Sequence, residues 1–261
     1  MNPIDPSAEW IETDGLGGFA SGTVSGIRTR RYHALLLTAT TPPAGRIVLV
    51  NGCDVWLTTA HGRFALSSQR YTPDVIDPDG SSRIQSFEYE PWPRWRFQIA
   101  ENVFVEQELL VRPGQSAVYL SWRIDGETDA KLEVRPFFSG RDFHSMHQEN
   151  DAFRFEAEEK GERVSWHPYE NLPTVSTHSN GHYLREQSWY RNFFYSEEES
   201  RGLDASEDLA VPGVFEFDLS KKPAVLMFAA DGPEVDSVET IYAEVRASEL
   251  QRRSRFPTPV H

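Results

Sequence analysis

The sequence predicts an all-β protein, with large antiparallel sheets packed face to face and one helix at the C-terminus. Apolar and polar residues alternate at period two through most of the chain. Asn-Gly, Asp-Gly and similar pairs divide these runs into short strands, and helical spacing is confined to the last segment. A chain of 261 residues that is 39% hydrophobic and 25% charged has room for one large core and does not fit a disordered protein. About a dozen short strands in this length call for packed sheets rather than one small barrel.

The elements follow in order. Tyr32–Thr38, Ile47–Val50 and Asp54–Thr59 read as strands, with Asn51-Gly52 as the turn between the last two. His61-Gly62 and Asp79-Gly80 mark further turns before Phe87–Tyr89 and Trp95–Ile99. Val103, Val105, Leu109 and Val111 share one strand face, opposite Glu106 and Glu108. Val118, Leu120, Trp122 and Ile124 share a face in the next strand, and Pro113-Gly114 between the two makes a hairpin. Leu132, Val134 and Phe138 alternate with Lys131, Glu133 and Arg135, and Phe153, Phe155 and Ala157 with Arg154, Glu156 and Glu158. After Val164–Trp166, Tyr183–Glu186 and Val214–Leu219, the run Val225–Ala229 is apolar on both faces, which suits a strand between layers.

Asp236 with Glu239 reads as a capping box, and Val238, Ile241, Tyr242 and Val245 then recur at helical spacing. The helix becomes basic at Arg246, Arg252, Arg253 and Arg255 and runs into Phe256-Pro257-Thr258-Pro259. The expected organisation is a β domain over 1–235 and a linker helix with a Pro-containing tail over 236–261.

Composition narrows the partners. Forty acidic against 26 basic residues leave a net charge of −14, which argues against nucleic acid and anionic membrane surfaces. The longest apolar run, Ala224 to Ala230, falls far short of the roughly twenty residues that span a bilayer. Met1–Trp10 has no basic flank or apolar stretch, and Cys53 is the only cysteine, so a cytoplasmic protein without disulfides is expected.

Several segments hold candidate chemistry. Five glycines fall within Gly15–Gly26, but neither Gly-Lys-Ser/Thr nor GxGxxG spacing is present, and β-like sequence follows. They read as turn and close-approach positions rather than a phosphate loop. In Thr29-Arg30-Arg31-Tyr32-His33, adjacent arginines on a strand point to opposite faces. Arginine beside aromatic rings suits sugar or carboxylate recognition, and equally a buried Arg–carboxylate network.

Asp142, His144 and His147 lack the pairing of a catalytic zinc site, so Arg141-Asp142-Phe143-His144 reads as an organiser of neighbouring loops. Trp92, Trp95, Trp166, Trp189 and Tyr190 could stack on pyranose faces or fill a core. Glu197-Glu198-Glu199, Asp204, Glu207 and Asp208 read as a solvated face, with no pair identifying itself as acid and base. No nucleophilic triad, metal site or cofactor motif is visible.

Five ordered motifs are more specific than any of these features alone. Residues 13–23 (Thr-Asp-Gly-Leu-Gly-Gly-Phe-Ala-Ser-Gly-Thr) and 29–36 (Thr-Arg-Arg-Tyr-His-Ala-Leu-Leu) closely resemble the opening of the prokaryotic, archaeal-type glycogen debranching enzyme family. Gly140–His144 and Trp189–Asn192 follow in order, and the fifth motif runs through Glu199–Leu203, Glu207–Leu209 and Pro212-Gly213. The resemblance spans residues 9 to about 217. Asp14 stands where Asn is usual, and Ala34 where Gly is usual.

The resemblance implies a β-supersandwich, similar to galactose mutarotase and to the glucoamylase N-terminal domain. In the family an (α/α)6 barrel follows and hydrolyses α-1,6 branch linkages of glycogen by the amylo-α-1,6-glucosidase reaction. That barrel holds the catalytic acid and base, so this chain alone is expected to contribute no catalytic residue. The expected role is accessory: binding or orienting α-glucan (glycogen, maltooligosaccharide) and packing on the barrel. Arg30, Arg31, Tyr32, His33, Arg141, Asp142, His144, Trp189 and Asn192 are expected to face sugar or barrel. The alternatives are an autonomous mutarotase-like enzyme with a His base and a carboxylate acid, and a structural interface domain without ligand.

Overall fold

The computed structural model describes residues 4–232 and 234–255. Their strands form two antiparallel sheets of 12 and 8 strands. The larger sheet opens with β1 (Glu9–Thr13), β2 (Phe19–Thr23), β3 (Ala34–Thr41) and β4 (Ala44–Thr59), paired in that order, and β5 (Gly62–Ala65) pairs back on β4. At its far edge lie β6 (Ser68–Tyr71) and β7 (Val75–Asp79). The chain then builds half of the smaller sheet from β8 (Ile84–Glu88), β9 (Arg94–Ala100), β10 (Val103–Val111) and β11 (Ala117–Asp125).

It returns to the larger sheet as β12 (Ala130–Asp142) and crosses back as β13 (Ala157–Lys160), β14 (Arg163–Trp166) and β15 (Val175–Ser179). The larger sheet is completed by β16 (His182–Leu184), β17 (Ser188–Phe194), β18 (Ser206–Val211) and β19 (Val214–Asp218). A single helical turn, α1 (Ser196–Glu199), links β17 to β18. Strand β20 (Ala224–Ala230) then enters the smaller sheet between β15 and β11, and α2 (Val238–Ser254) follows.

The period-two pattern sets the core. Leu49, Leu57, Leu132, Phe138 and Phe215 from the larger sheet meet Phe97, Val105, Leu120, Trp166 and Phe228 from the smaller. The hairpin expected at Pro113-Gly114 forms, with Leu109 opposite Leu120 and Val111 opposite Val118. Strand β20 is buried on both faces, as its composition predicts. Leu226 and Phe228 join the inter-sheet core, while Val225, Met227 and Ala229 pack under Val238 and Val245 of α2.

Four local expectations are corrected. Ile47–Val50 and Asp54–Thr59 belong to one strand, and Asn51-Gly52 lies within it. Gly52 is there because the Arg28 guanidinium crosses it: a Cβ would sit 2.4 Å from Arg28 Nη1. Tyr32 and His33 precede β3, in a turn closed by His33 N donating to Arg30 O at 3.1 Å, so Arg30 and Arg31 are not strand neighbours. Phe153 and Phe155 lie in a loop before β13, because both pack on Trp189 instead of alternating across a sheet. The α2 cap is Ser237, whose hydroxyl accepts from Thr240 N, and Asp236 is exposed beside it.

Helix α2 is fastened to the sheet and to its neighbours by charge as well. Tyr242 and Arg246 reach Glu108, while Arg253 bridges Glu12 and Glu249. Phe256-Pro257-Thr258-Pro259 lies outside the described residues. Among the described residues, no helix is long and apolar enough to cross a membrane.

Candidate functional site

The separated motifs converge at one end of the larger sheet, around two fully buried carboxylates. Strand β12 carries Gly140-Arg141 just before its end at Asp142, and Gly140 adopts φ 69° beneath Leu172 and Tyr169. Arg141 is 5% exposed and pairs with Glu207 of β18, which is 0% exposed. Glu207 also accepts from the Tyr195 hydroxyl, from His147 N at 3.0 Å and from Asn51 Nδ2 at 3.4 Å. Arg141 Nη2 donates to Arg31 O at 2.8 Å, which ties β12 to the turn before β3. Burial opposes the charge on Arg141, and Glu207 beside it holds the guanidinium protonated.

Glu198 of α1 is the second buried carboxylate. It accepts from Arg31 N at 3.1 Å, Arg31 Nη2 at 2.9 Å and Arg201 Nη2 at 2.9 Å. Burial alone would raise its pKa, but the hydrogen bonds and charges of Arg31 and Arg201 hold it below the ordinary carboxylate range. Arg31 also donates from Nη1 to His144 O, so one side chain joins three loops. Glu198 and Glu207, read from sequence as part of a solvated face, are therefore the counter-ions of Arg31 and Arg141. Nothing in their local sequence sets them apart from Glu197 or Glu199.

Above this buried layer lies an aromatic rim. The Tyr32 hydroxyl sits 3.1 Å from His144 Nδ1, and Phe143 packs against both rings. With Phe19, Ile11, Arg30 and Arg46 they line a cleft of about 420 Å³. Arg30 forks between Glu9 at 2.6 Å and Glu197 at 3.5 Å. His144 separates this cleft from a second, more polar one of about 620 Å³, lined by Arg31, Gln148, Asp204 and Ser206.

His33 forms the cleft floor, with Nδ1 accepting from Thr29 N at 3.2 Å and Nε2 3.4 Å from Glu9 Oε1. Burial pushes its pKa down to about 4, outweighing the attraction of Glu9, so the imidazole is neutral at pH 7.

Seven of the nine expected residues thus share one end of the fold: Arg30, Arg31, Tyr32, His33, Arg141, Asp142 and His144. Asp142 is exposed and accepts from His144 N at 2.9 Å. Trp189 and Asn192 attach from the side and line neither cleft. Trp189 stacks on His147 at 5.5 Å, and Asn192 N donates to Asp208 Oδ1 at 2.9 Å from a left-handed φ of 65°. Both ring nitrogens of His147 are engaged, by Asp208 O and the Tyr169 hydroxyl, and no group of metal-binding side chains occurs among the described residues. Phe19, Arg46 and Phe143 join the cleft without having been singled out, because bulk and charge in sequence do not reveal which sheet edge they reach.

The sequence model of one family, described as glycogen debranching enzyme N terminal, matches residues 8–226. All five ordered motifs fall inside that match, and its length is most of the chain. The chain belongs to this family. No curated protein matches it in sequence. Among solved structures, a bacterial glucoamylase complexed with acarbose is similar to it, at 9% identity and a TM-score of 0.42. That alignment covers 96% of this chain and 35% of the glucoamylase chain, so this chain spans about a third of that enzyme's length.

Proposed function

We propose that this domain is the non-catalytic, substrate-orienting part of a glycogen-debranching glycoside hydrolase. In this reading its rim contacts α-glucan and packs beside an (α/α)6 barrel that α2 leads toward. The observation that supports it is the 420 Å³ cleft, which sets the aromatic faces of Phe19, Tyr32, Phe143 and His144 beside the forked donors Arg30 and Arg46. Rings that cover the C–H face of a pyranose, flanked by planar donors for its hydroxyls, suit a neutral sugar. A net charge of −14 is no obstacle to an uncharged polymer. The buried ion pairs beneath hold the rim in place, and the mid-chain motifs serve that role.

Tryptophan fluorescence tests this, because Trp10 lines the cleft. Titration with maltooligosaccharide is expected to saturate weakly, with a Kd on the order of 1 mM. Tyr32→Ala, at a half-buried rim position, is expected to weaken it about tenfold while leaving the fold intact. Absence of any saturable signal, both for this chain and for the chain joined to its barrel, sinks the proposal. A mutarotase-like enzyme is the second reading, favoured by the His33–Glu9 pair at the cleft floor. Polarimetry on freshly dissolved α-glucose, unchanged by the protein, would remove it.

A further inference from the structure

Arg28 is 7% exposed, yet among the described residues it forms no ion pair and no hydrogen bond. Its neighbours are the ring faces of Phe193 at 4.8 Å and Phe137 at 5.4 Å, and its buried Nε has no acceptor. The neighbouring guanidiniums are matched in charge: the buried Arg141 has Glu207, and the partly buried Arg31 has Glu198. Aromatic faces attract a cation but accept none of its in-plane N–H groups, so Arg28 retains an unneutralised charge and unused donors.

The guanidinium borders a partly enclosed recess of about 90 Å³ between the sheets. Its walls are Trp10, Trp95 and Trp122, and the Ser21–Gly26 stretch of the glycine-rich segment lines it. Asn51, on the same wall, has a buried Oδ1 with no donor. The carboxylates whose charge reaches the same surroundings are engaged elsewhere, Asp54 by Trp56 and Ser67 and Glu207 by Arg141, and neither pairs with Arg28. Burial pushes the Cys53 thiol and the Tyr71 and Tyr195 hydroxyls upward, so all three stay neutral at physiological pH. The volume holds about three waters and is too small for a pyranose ring.

We propose that this recess binds one halide-sized monovalent anion, such as chloride, on Arg28, together with one or two waters. The anion neutralises the guanidinium, and a co-bound water donates to Asn51 Oδ1. Arg28 immediately precedes Thr29–His33, so the bound anion fixes the root of the rim loop.

The test uses the whole chain at constant ionic strength, exchanging sodium gluconate for sodium chloride or bromide. Chloride is expected to raise Tm with the logarithm of its concentration above Kd, by roughly 5 °C at a hundredfold excess, and bromide to quench the lining tryptophans over its own binding range. Arg28→Met is expected to abolish both responses. Gly52→Ala, which places a Cβ 2.4 Å from Nη1, is expected to weaken them. If Arg28→Met does not fold, the ³⁵Cl NMR line width of the unaltered protein decides, and excess broadening that competing bromide removes supports the site. A Tm and line width indifferent to halide would mean that the recess holds water only, and would overturn the proposal.

Discussion

The two flanks of this molecule are held by different forces. Under α2, Val225, Met227 and Ala229 meet Val238 and Val245, and in each ion pair of the helix the cation stays partly exposed even where the carboxylate, Glu12 or Glu249, is buried. At the motif end, buried groups are charged: Arg141 with Glu207, and Glu198 with the nearly buried Arg31. Apolar packing is tolerant of substitution and non-directional. A buried ion pair is directional, and it is intolerant once either half is lost. The motif end therefore trades tolerance for geometry, as a surface that must present Tyr32 and His144 at fixed positions requires.

The largest effect is expected where that geometry is broken. Arg141→Met leaves Glu207 buried and unpaired and should cost about 3–5 kcal/mol in urea unfolding. Adding Glu207→Gln keeps an acceptor for Tyr195 and His147 while removing the charge, and should restore much of the loss. Equal instability of the single and double variants would show that charge is not what the pair supplies.

Acid should act on the same end. His33 titrates near 6.5 when unfolded and at about 4 when folded, so between these values only the unfolded chain takes up the proton. Its contribution is intact above about pH 6.5 and is lost as pH falls toward 4, amounting to about 3 kcal/mol. Burial lowers His147 in the same direction. Thermal unfolding across that window should show a shallower slope in His33→Asn, whose side-chain oxygen can still accept from Thr29 N. An unchanged slope would assign the acid sensitivity elsewhere.

Legibility in the sequence divides along the same line. The inter-sheet core, the Pro113-Gly114 hairpin and the doubly buried β20 were readable because burial imprints a period on apolar residues. The counter-ions were not, because charge carries no address: Glu207 lies 66 residues from Arg141, and Glu198 lies 167 from Arg31. Gly52 imitated a turn because a glycine that makes room for a guanidinium looks the same as one that bends the chain. The order of the motifs identified the region that forms the rim, and only the fold separated the buried framework from the half-buried Tyr32 and the exposed Asp142 and His144.

A smaller and differently shaped effect is expected on the α2 flank. Val245→Ala removes two methyl groups from an apolar contact and should cost about 2 kcal/mol, with little dependence on salt or pH. A loss as large as that of Arg141→Met would erase the contrast between the flanks.

The smallest predicted effect sharpens the contrast most, because it keeps the chemistry and changes only the burial. Arg246 pairs with Glu108 through two hydrogen bonds at 3.1 and 3.3 Å, as bidentate in form as Arg141 on Glu207. The Arg246 side chain, however, is 40% exposed and that of Glu108 17%, against 3% and 0% for the buried pair. Water solvates whatever a mutation strands there, and Tyr242 still donates to Glu108 at 2.8 Å. Arg246→Ala should therefore cost under about 1 kcal/mol, shrinking further in high salt. A double-mutant cycle with Glu108→Gln should give a coupling several-fold below that of Arg141 with Glu207. Equal couplings would mean that burial does not set the strength of these pairs, and that the rim's rigidity has another source.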